Sequence, residues 1–300
     1  GATATQGTRG DIVEYANVAS MKSHGEELSI TTKNIQTKDF SWVTNFIYSH
    51  SVNEVTDLTT EATTMDYIQG TGFAKKGYPV RALFSIPFKG LDENGFPTFL
   101  NEKGVITSDD INFQERVNND YLVYEGPTDP TYTGSLGNTF SYKGFRLNIF
   151  MTYSFGNVVR LDPVFSAQYN DLTSMTKEFK NRWRLAGEEK QTNVPTILTY
   201  RQYHDNTSLL YGYNAYNYSD VRVAKGDFIR MKEISLSYDF PSVWFSHTAL
   251  KSLSLKLQGT DLFLIYADKK LNGQDPEFFR AGGVSAPLPR QFTLTIKAGF

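Results

Sequence analysis

Arg290-Gln-Phe-Thr-Leu-Thr-Ile-Lys-Ala-Gly-Phe300 alternates with period two to its last residue. Phe292, Leu294, Ile296, Ala298 and Phe300 share one parity, and Gln291, Thr293, Thr295, Lys297 and Gly299 the other. That pattern predicts a strand with one apolar face. A soluble domain rarely ends on a bare aromatic edge strand, because termini fray and open edges aggregate. A membrane barrel needs a last strand, and each of its strands hides the membrane signal in an alternation of about 9 to 11 residues.

The same alternation recurs upstream. Leu136, Phe140 and Tyr142 are in phase between Tyr132 and Tyr142, interrupted by Asn138, and Lys143-Gly144 then turns the chain. Phe145, Leu147, Ile149, Met151, Tyr153 and Phe155 follow, opposite Arg146, Asn148, Thr152 and Ser154. At ~3.3 Å per residue, Phe145 to Tyr153 covers about 26 Å, or about 20 Å of depth at a tilt of ~40°, close to the ~25 Å apolar band of an outer-membrane barrel. Glu26, Leu28, Ile30 and Thr32 form another such set, as do Phe40, Trp42, Phe46 and Tyr48 after a turn at Asn34 to Asp39. Ile234, Leu236, Tyr238 and Phe240 make a further set, then Leu253, Leu255 and Leu257. There the alternation fails at Gly259-Thr260-Asp261, which predicts a bulge before Leu262 to Tyr266.

About seven strands result, joined alternately by short turns and by long connections at 51–130, 156–226 and 267–289. Connections that long count against a compact soluble domain but suit a barrel with extracellular loops opposite short periplasmic turns. Seven strands cannot close, and both sheet edges would leave backbone groups unsatisfied in lipid. Residues outside this chain are therefore expected to complete the sheet.

Elsewhere the residues 1–24 read as a loop, and Asp92-Glu-Asn-Gly95 as the turn of a local hairpin. Leu172, Met175, Phe179 and Trp183 fall at helical spacing between an Asp171 cap and Gly187. Tyr200, Tyr203, Tyr211, Tyr213, Tyr216 and Tyr218, mixed with Asn206, Asn214 and Asn217, offer amphipathic rings beside amides. They are candidates for sugar or peptide contact at a mouth, or for packing the loop on itself or on a neighbour.

Composition agrees with alternating strands: eighteen Tyr and twenty-two Phe sit in a chain of mean hydropathy −0.39. Thirty basic and thirty-two acidic residues nearly cancel, arguing against a nucleic-acid footprint. Without cysteine there is no disulfide framework, thiolate metal site or thiol nucleophile. His24, His50, His204 and His247 lack metal-pair spacing, and Gly72 to Gly77 lacks the Lys-Ser/Thr of a phosphate loop. No catalytic constellation, metal site or cofactor motif stands out. The start at Gly1, with no Met and no signal peptide, suggests a piece of a longer or processed polypeptide.

Several stretches, in order, resemble the SusC/RagA family of TonB-dependent outer-membrane transporters. They are Asn17-Val-Ala-Ser-Met-Lys-Ser-His-Gly-Glu-Glu-Leu28, Asn34-Ile-Gln-Thr-Lys-Asp-Phe-Ser-Trp42, Gly90-Leu-Asp-Glu-Asn-Gly-Phe-Pro97 and Asn138-Thr-Phe-Ser-Tyr-Lys-Gly-Phe145. Asn181-Arg-Trp183, Gly226-Asp-Phe-Ile-Arg-Met-Lys-Glu-Ile-Ser-Leu-Ser-Tyr238 and Pro289-Arg-Gln-Phe-Thr-Leu294 continue the series. Arg81-Ala-Leu-Phe-Ser-Ile-Pro-Phe88 departs from the Gly/Tyr-rich run of the family.

The resemblance implies that residues 1–300 are the C-terminal part of a barrel of about 22 strands, with the plug, TonB-contacting segment and signal peptide upstream of this chain. It implies active import of oligosaccharides or peptides, a SusD-like surface lipoprotein as partner, TonB as energy source, and Phe300 as the aromatic read during barrel assembly. The alternative is a passive surface-binding or adhesion barrel without energy coupling. Either way the apolar parity faces lipid, and Arg146, Asn148, Lys256, Gln258 and Lys297 face inward. Ile296→Lys should then impair assembly, at about 2 to 4 kcal/mol near the midplane, more than Lys297→Ile. Equal outer-membrane yields of the two would overturn the face assignment.

Overall fold

The computed structural model describes residues 2–7, 10–15, 19–70, 73–165, 176–279 and 288–300. They divide into two compact units, one of residues 25–51, 130–157 and 225–300, the other of residues 1–24, 52–129 and 158–224.

The first unit is built on a seven-stranded antiparallel sheet. Its strands are β1 (Ala19–Gln36), β2 (Phe40–Leu58), β3 (Tyr132–Tyr142), β4 (Phe145–Phe155), β5 (Phe228–Asp239), β6 (Ser252–Ala267) and β7 (Gln291–Gly299). Each pairs with its neighbours in sequence, giving an up-and-down meander in which short turns lie at one end. All seven expected strands are present, and β1 and β5 start well before the alternation signals them.

Register turns the sequence parity into rows of side chains. Phe40, Tyr142, Phe145, Tyr238, Leu255 and Ile296 lie side by side at the short-turn end. Next come Trp42, Phe140, Leu147, Leu236, Leu257 and Leu294. Near the other end lie Tyr48, Gly134, Tyr153, Ile229 and Tyr266, and beyond them His50, Tyr132 and Phe155. Between these two ends lie Ile149, Ile234 and Phe292, in a row that also holds Thr44 and Asn138, and then Phe46, Leu136, Met151, Met231 and Phe263. Aromatic-rich rows thus bracket a largely apolar band, the distribution that a bilayer selects on a barrel wall. Leu294 and Ile296 are 63% and 65% exposed, an arrangement water would penalise but lipid does not.

The opposite face is mainly polar, with Val43, Ile47 and Phe150 as apolar members. Ser141, Arg146, Ser237, Lys256 and Thr295 form one row, and Thr139, Asn148, Ser235, Gln258 and Thr293 the next. Asn148 Nδ2 donates to Glu233 Oε1 at 3.3 Å, and Lys256 Nζ lies 3.9 Å from the same carboxylate. Asn138, which breaks the apolar parity, accepts hydrogen bonds from Trp42 Nε1 (2.9 Å) and Thr44 Oγ1 (2.8 Å), so its carbonyl is satisfied on the apolar face.

The expected bulge is present. One residue of β5, Lys232, lies where β6 carries Asp261 and Leu262, between the pairs Glu233↔Thr260 and Met231↔Phe263. Asp261 has φ 52°, and its carboxylate holds Lys232 Nζ at 2.5 Å. Among the described residues neither edge strand, β1 or β7, has a further partner in this sheet.

The second unit is made mainly of the long connections at 51–130 and 156–226, which carry short elements and a core of their own. Its core contains Tyr67, Ile68, Phe84, Ile86, Phe99, Phe113, Phe165, Tyr213 and Tyr216. The run Arg81 to Phe88 supplies its centre, with Phe84 and Ile86 at 1% and 0% exposure. Ala82–Ser85 pairs with Val123–Pro127. The expected hairpin is found as Phe88–Leu91 against Pro97–Leu100. Asp92 Oδ1 accepts from the N–H groups of Asn94 and Phe96, and Gly95 takes φ 76°. The opening stretch, expected as a loop, pairs Ala2–Gly7 with Gly10–Tyr15; its Thr, Ile and Val content outweighs the glycines. Of the expected helix, Asp171, Leu172 and Met175 lie outside the described residues, and the described part is a 3₁₀ turn at Lys177–Asn181.

Gly134 gives the sheet a sharp test. A Cβ there would fall 2.1 Å from the Ile47 carbonyl and 2.4 Å from the Tyr153 hydroxyl, whereas one at Gly137 meets nothing nearer than 3.5 Å. Gly134→Val should strongly reduce the heat-modifiable folded barrel on gels, and Gly137→Ala should leave it unchanged.

Candidate substrate and partner surface

The tyrosine-rich stretch folds as two short helices rather than a loop. α1 is Tyr200–Asp205 and α2 is Leu209–Asn217. Thr199 caps α1 by a capping box with Gln202, in which each side chain meets the other's backbone N–H. That Thr-x-x-Gln signature is legible in the sequence.

The helices sort the six tyrosines. Tyr200 is 78% exposed, Tyr203 38% and Tyr211 53%, whereas Tyr213 and Tyr216 are 6% and 2% exposed. The two buried rings pack edge-on against Phe165, at 5.1 and 5.6 Å between centroids. Tyr213 donates its hydroxyl hydrogen to the Thr196 carbonyl at 2.7 Å. Tyr218 is half-buried, with the Arg160 guanidinium 5.8 Å from its ring. On α2 Tyr211 falls on the outer side, and Tyr213 and Tyr216 fall on the side that faces the core. Gly212 allows the close approach: a Cβ there would sit 2.0 Å from the Ser108 carbonyl.

Two buried arginines hold this unit together, and neither was singled out from the sequence. Arg160, 2% exposed, donates to the carbonyls of Phe84 (2.6 Å), Ser219 (2.8 Å) and Ile68 (3.3 Å), and to Ser85 Oγ (3.0 Å). Arg222 pairs with the Glu178 carboxylate and donates to the Asp162 carbonyl at 2.7 Å. A lone arginine carries no periodicity, so only an unusually apolar setting could have marked these two.

Residues quoted from distant stretches meet here. The Trp183 ring lies against Gly95, where a Cβ would fall 2.4 Å from it. Trp183 Nε1 donates to Glu189 Oε2 at 3.2 Å, and Thr196 N to the Gly95 carbonyl at 3.0 Å. The Glu189 carboxyl is held below its usual range by its own backbone N–H, the Trp183 indole and the Gly187 N–H.

No family model matches the chain. It is 26% identical over 303 residues to the TonB-dependent receptor SusC of Bacteroides thetaiotaomicron, covering 93% of this chain and 26% of that protein. It is 24% identical over 279 residues to the TonB-dependent receptor P3 of Formosa agariphila, covering 88% and 26%. The solved RagAB peptide transporter superposes with a TM-score of 0.69 at 21% identity, over 96% of this chain and 30% of that one. The chain is SusC/RagA-like. A second structure, the RagAB peptide importer in its open-open state, gives 0.70 at 22% identity. The SusC/RagA-like chain spans about a quarter of the length of these curated relatives. Its fold class is the transmembrane β-barrel, and its relatives carry the names of receptors and transporters rather than of enzymes.

Burial raises the phenols of Tyr216 and Tyr121 to about 12, against a usual value near 10; Glu178 adds to the rise at Tyr216 while Arg222 opposes it. A folded-state pKa above the unfolded one means the protonated phenol stabilises the fold fully below pH ~10, and that this is lost as pH rises through ~12. Ultraviolet titration should show late phenol ionisations, of which Tyr216→Phe removes one near pH 12 and Tyr121→Phe another.

Proposed function

We propose that residues 1–300 form the C-terminal part of the barrel of an outer-membrane active transporter, importing oligosaccharides or peptides too large for porins. Energy comes from TonB, acting through a plug and contact segment that the family carries upstream. A SusD-like lipoprotein covers the mouth. The observation that carries this reading is the register of the sheet: aromatic-rich rows bracket a largely apolar band on one face and mainly polar rows line the other. Support comes from relatives named TonB-dependent receptors that align over nearly all of the chain.

The wall itself performs no chemistry. β2 to β7 separate lipid from a polar interior, and the folded connections present the surface that meets cargo and lid. Tyr200, Tyr203 and Tyr211 are the rings left free for that contact; Tyr213 and Tyr216 belong to the core beneath them.

Uptake by cells carrying the intact protein should stop when a protonophore collapses the proton gradient. Uptake indifferent to the gradient would favour the passive barrel instead. Replacing Tyr200, Tyr203 and Tyr211 together by Ala should raise the half-saturating substrate concentration roughly tenfold while leaving folded barrel in the membrane. Tyr216→Ala should instead lower the amount of folded protein.

A further inference from the structure

At the short-turn end of the sheet a cavity of about 200 Å³ opens between the turn at residues 37–39 and the turn at Lys143-Gly144. Five charged residues line it: Lys38, Lys143, Arg146, Asp39 and Asp239. Among the described residues none of the five forms an ion pair, although both signs share one small space. Many other charges of the chain pair when neighbours allow, as Lys103 does with Asp110 and Lys232 with Asp261. Opposite charges that line a cavity without meeting suit a ligand carrying both signs.

The surroundings identify the medium. Phe40, Tyr142 and Phe145, which also line the cavity, belong to the aromatic row at this end of the apolar face, while Ser41, Ser141 and Arg146 line it from the polar face, so that it sits at the rim where the two faces meet. Lys143 Nζ lies 5.4 Å from the centre of the Tyr142 ring, on the apolar side of the wall. The neighbouring turn after β5 carries Val243 and Trp244, 71% and 63% exposed, and the Trp244 ring stands 5.8 Å from Phe240. Exposed aromatic and basic groups at one level are the signature of the headgroup layer.

We propose that this cavity seats a zwitterionic phospholipid headgroup, phosphoethanolamine, from the periplasm-facing leaflet, its phosphate toward Lys38 and Lys143 and its ammonium toward Asp39 and Asp239. The inference rests on the outer-membrane reading above. Three primary N–H donors on the ligand suit the two carboxylates, whereas a quaternary choline offers none and a glycerol headgroup carries no cation.

The test uses the intact receptor in nanodiscs made from phosphatidylethanolamine, phosphatidylglycerol and phosphatidylcholine in equal parts, with the lipid retained after detergent extraction read by native mass spectrometry. Phosphatidylethanolamine should be retained preferentially. Lys143→Ala and Asp39→Asn should each reduce that retention roughly fivefold, with heat-modifiability unchanged, and Lys297→Ala should have no effect. Equal retention of phosphatidylglycerol, or a loss with Lys143→Ala but not with Asp39→Asn, would reduce the site to a basic patch and overturn the proposal. A folded receptor that retains no lipid preferentially would overturn it as well. A receptor that fails to enter nanodiscs would instead overturn the membrane reading on which it rests.

Discussion

A backbone N–H or C=O inside a bilayer has no water to turn to, and that constraint organises the larger part of this chain. An antiparallel meander answers it, since each strand offers its hydrogen-bonding groups to the strand just formed or about to form. The side chains then have to divide by parity. Leu147 faces one way and Asn148 the other, and the division continues across β5, β6 and β7 as Leu236 and Ser235, Leu257 and Gln258, Leu294 and Thr293. The same constraint leaves β1 and β7 as open edges among the described residues. A wall of this kind is stable in lipid only when further strands pair with them.

The folded connections obey a different constraint. Their chain returns repeatedly to a small core, and the carbonyls it buries on the way need donors. Arg160 supplies several at once, reaching Ile68, Phe84 and Ser219 from three separate segments. A guanidinium suits this role because its five N–H groups are fixed in a plane and stay charged. Trp183 on Gly95 provides a second tie, joining the hairpin that begins at Phe88 to the 3₁₀ turns near residue 188. Short stretches that look unremarkable singly in the sequence are thus parts of common contacts.

How much could be read in advance follows from which force shapes each region. Each strand of the sheet carried at least one run of period two, because the bilayer penalises exceptions, although β1 and β5 reach beyond their runs and β6 loses the pattern at Gly259; Asn138 was visible as an interruption, and its carbonyl is satisfied by Trp42 and Thr44. The loop unit was opaque because its elements are short and its core draws on residues far apart, as with Tyr67, Phe84 and Phe113. Of the candidate tyrosines, residue type and spacing could not separate Tyr211 from Tyr213. Only the packing of α2 against Phe165 does so, and it puts Tyr213 and Tyr216 inside. The Thr199–Gln202 capping box was available as a sign of helix and outweighs the polar, loop-like composition around it.

The start of β5 shows why a broken pattern can be more informative than an intact one. Ile234, Leu236 and Tyr238 lie on the apolar face, and Arg230 has their parity. Carried on unbroken, the alternation would place a guanidinium in lipid, at a cost of several kcal/mol, of order 2 to 4 near the midplane. The bulge at Lys232 shifts the phase by one residue, which moves every residue before it to the other face. Ile229 and Met231 then pair with Tyr153 and Met151 on the apolar side, and Arg230 pairs with Thr152 on the polar one. There it is 5% exposed, with Asp275 at 2.5 Å and Glu277 at 3.0 Å. The Lys232–Asp261 contact pins the bulge in place, so one ion pair within the wall decides where another can form. Alternation fails between Arg230 and Ile234 because the fold needs an arginine inside at that height, and the irregular stretch Phe228 to Glu233 is the sequence of that requirement.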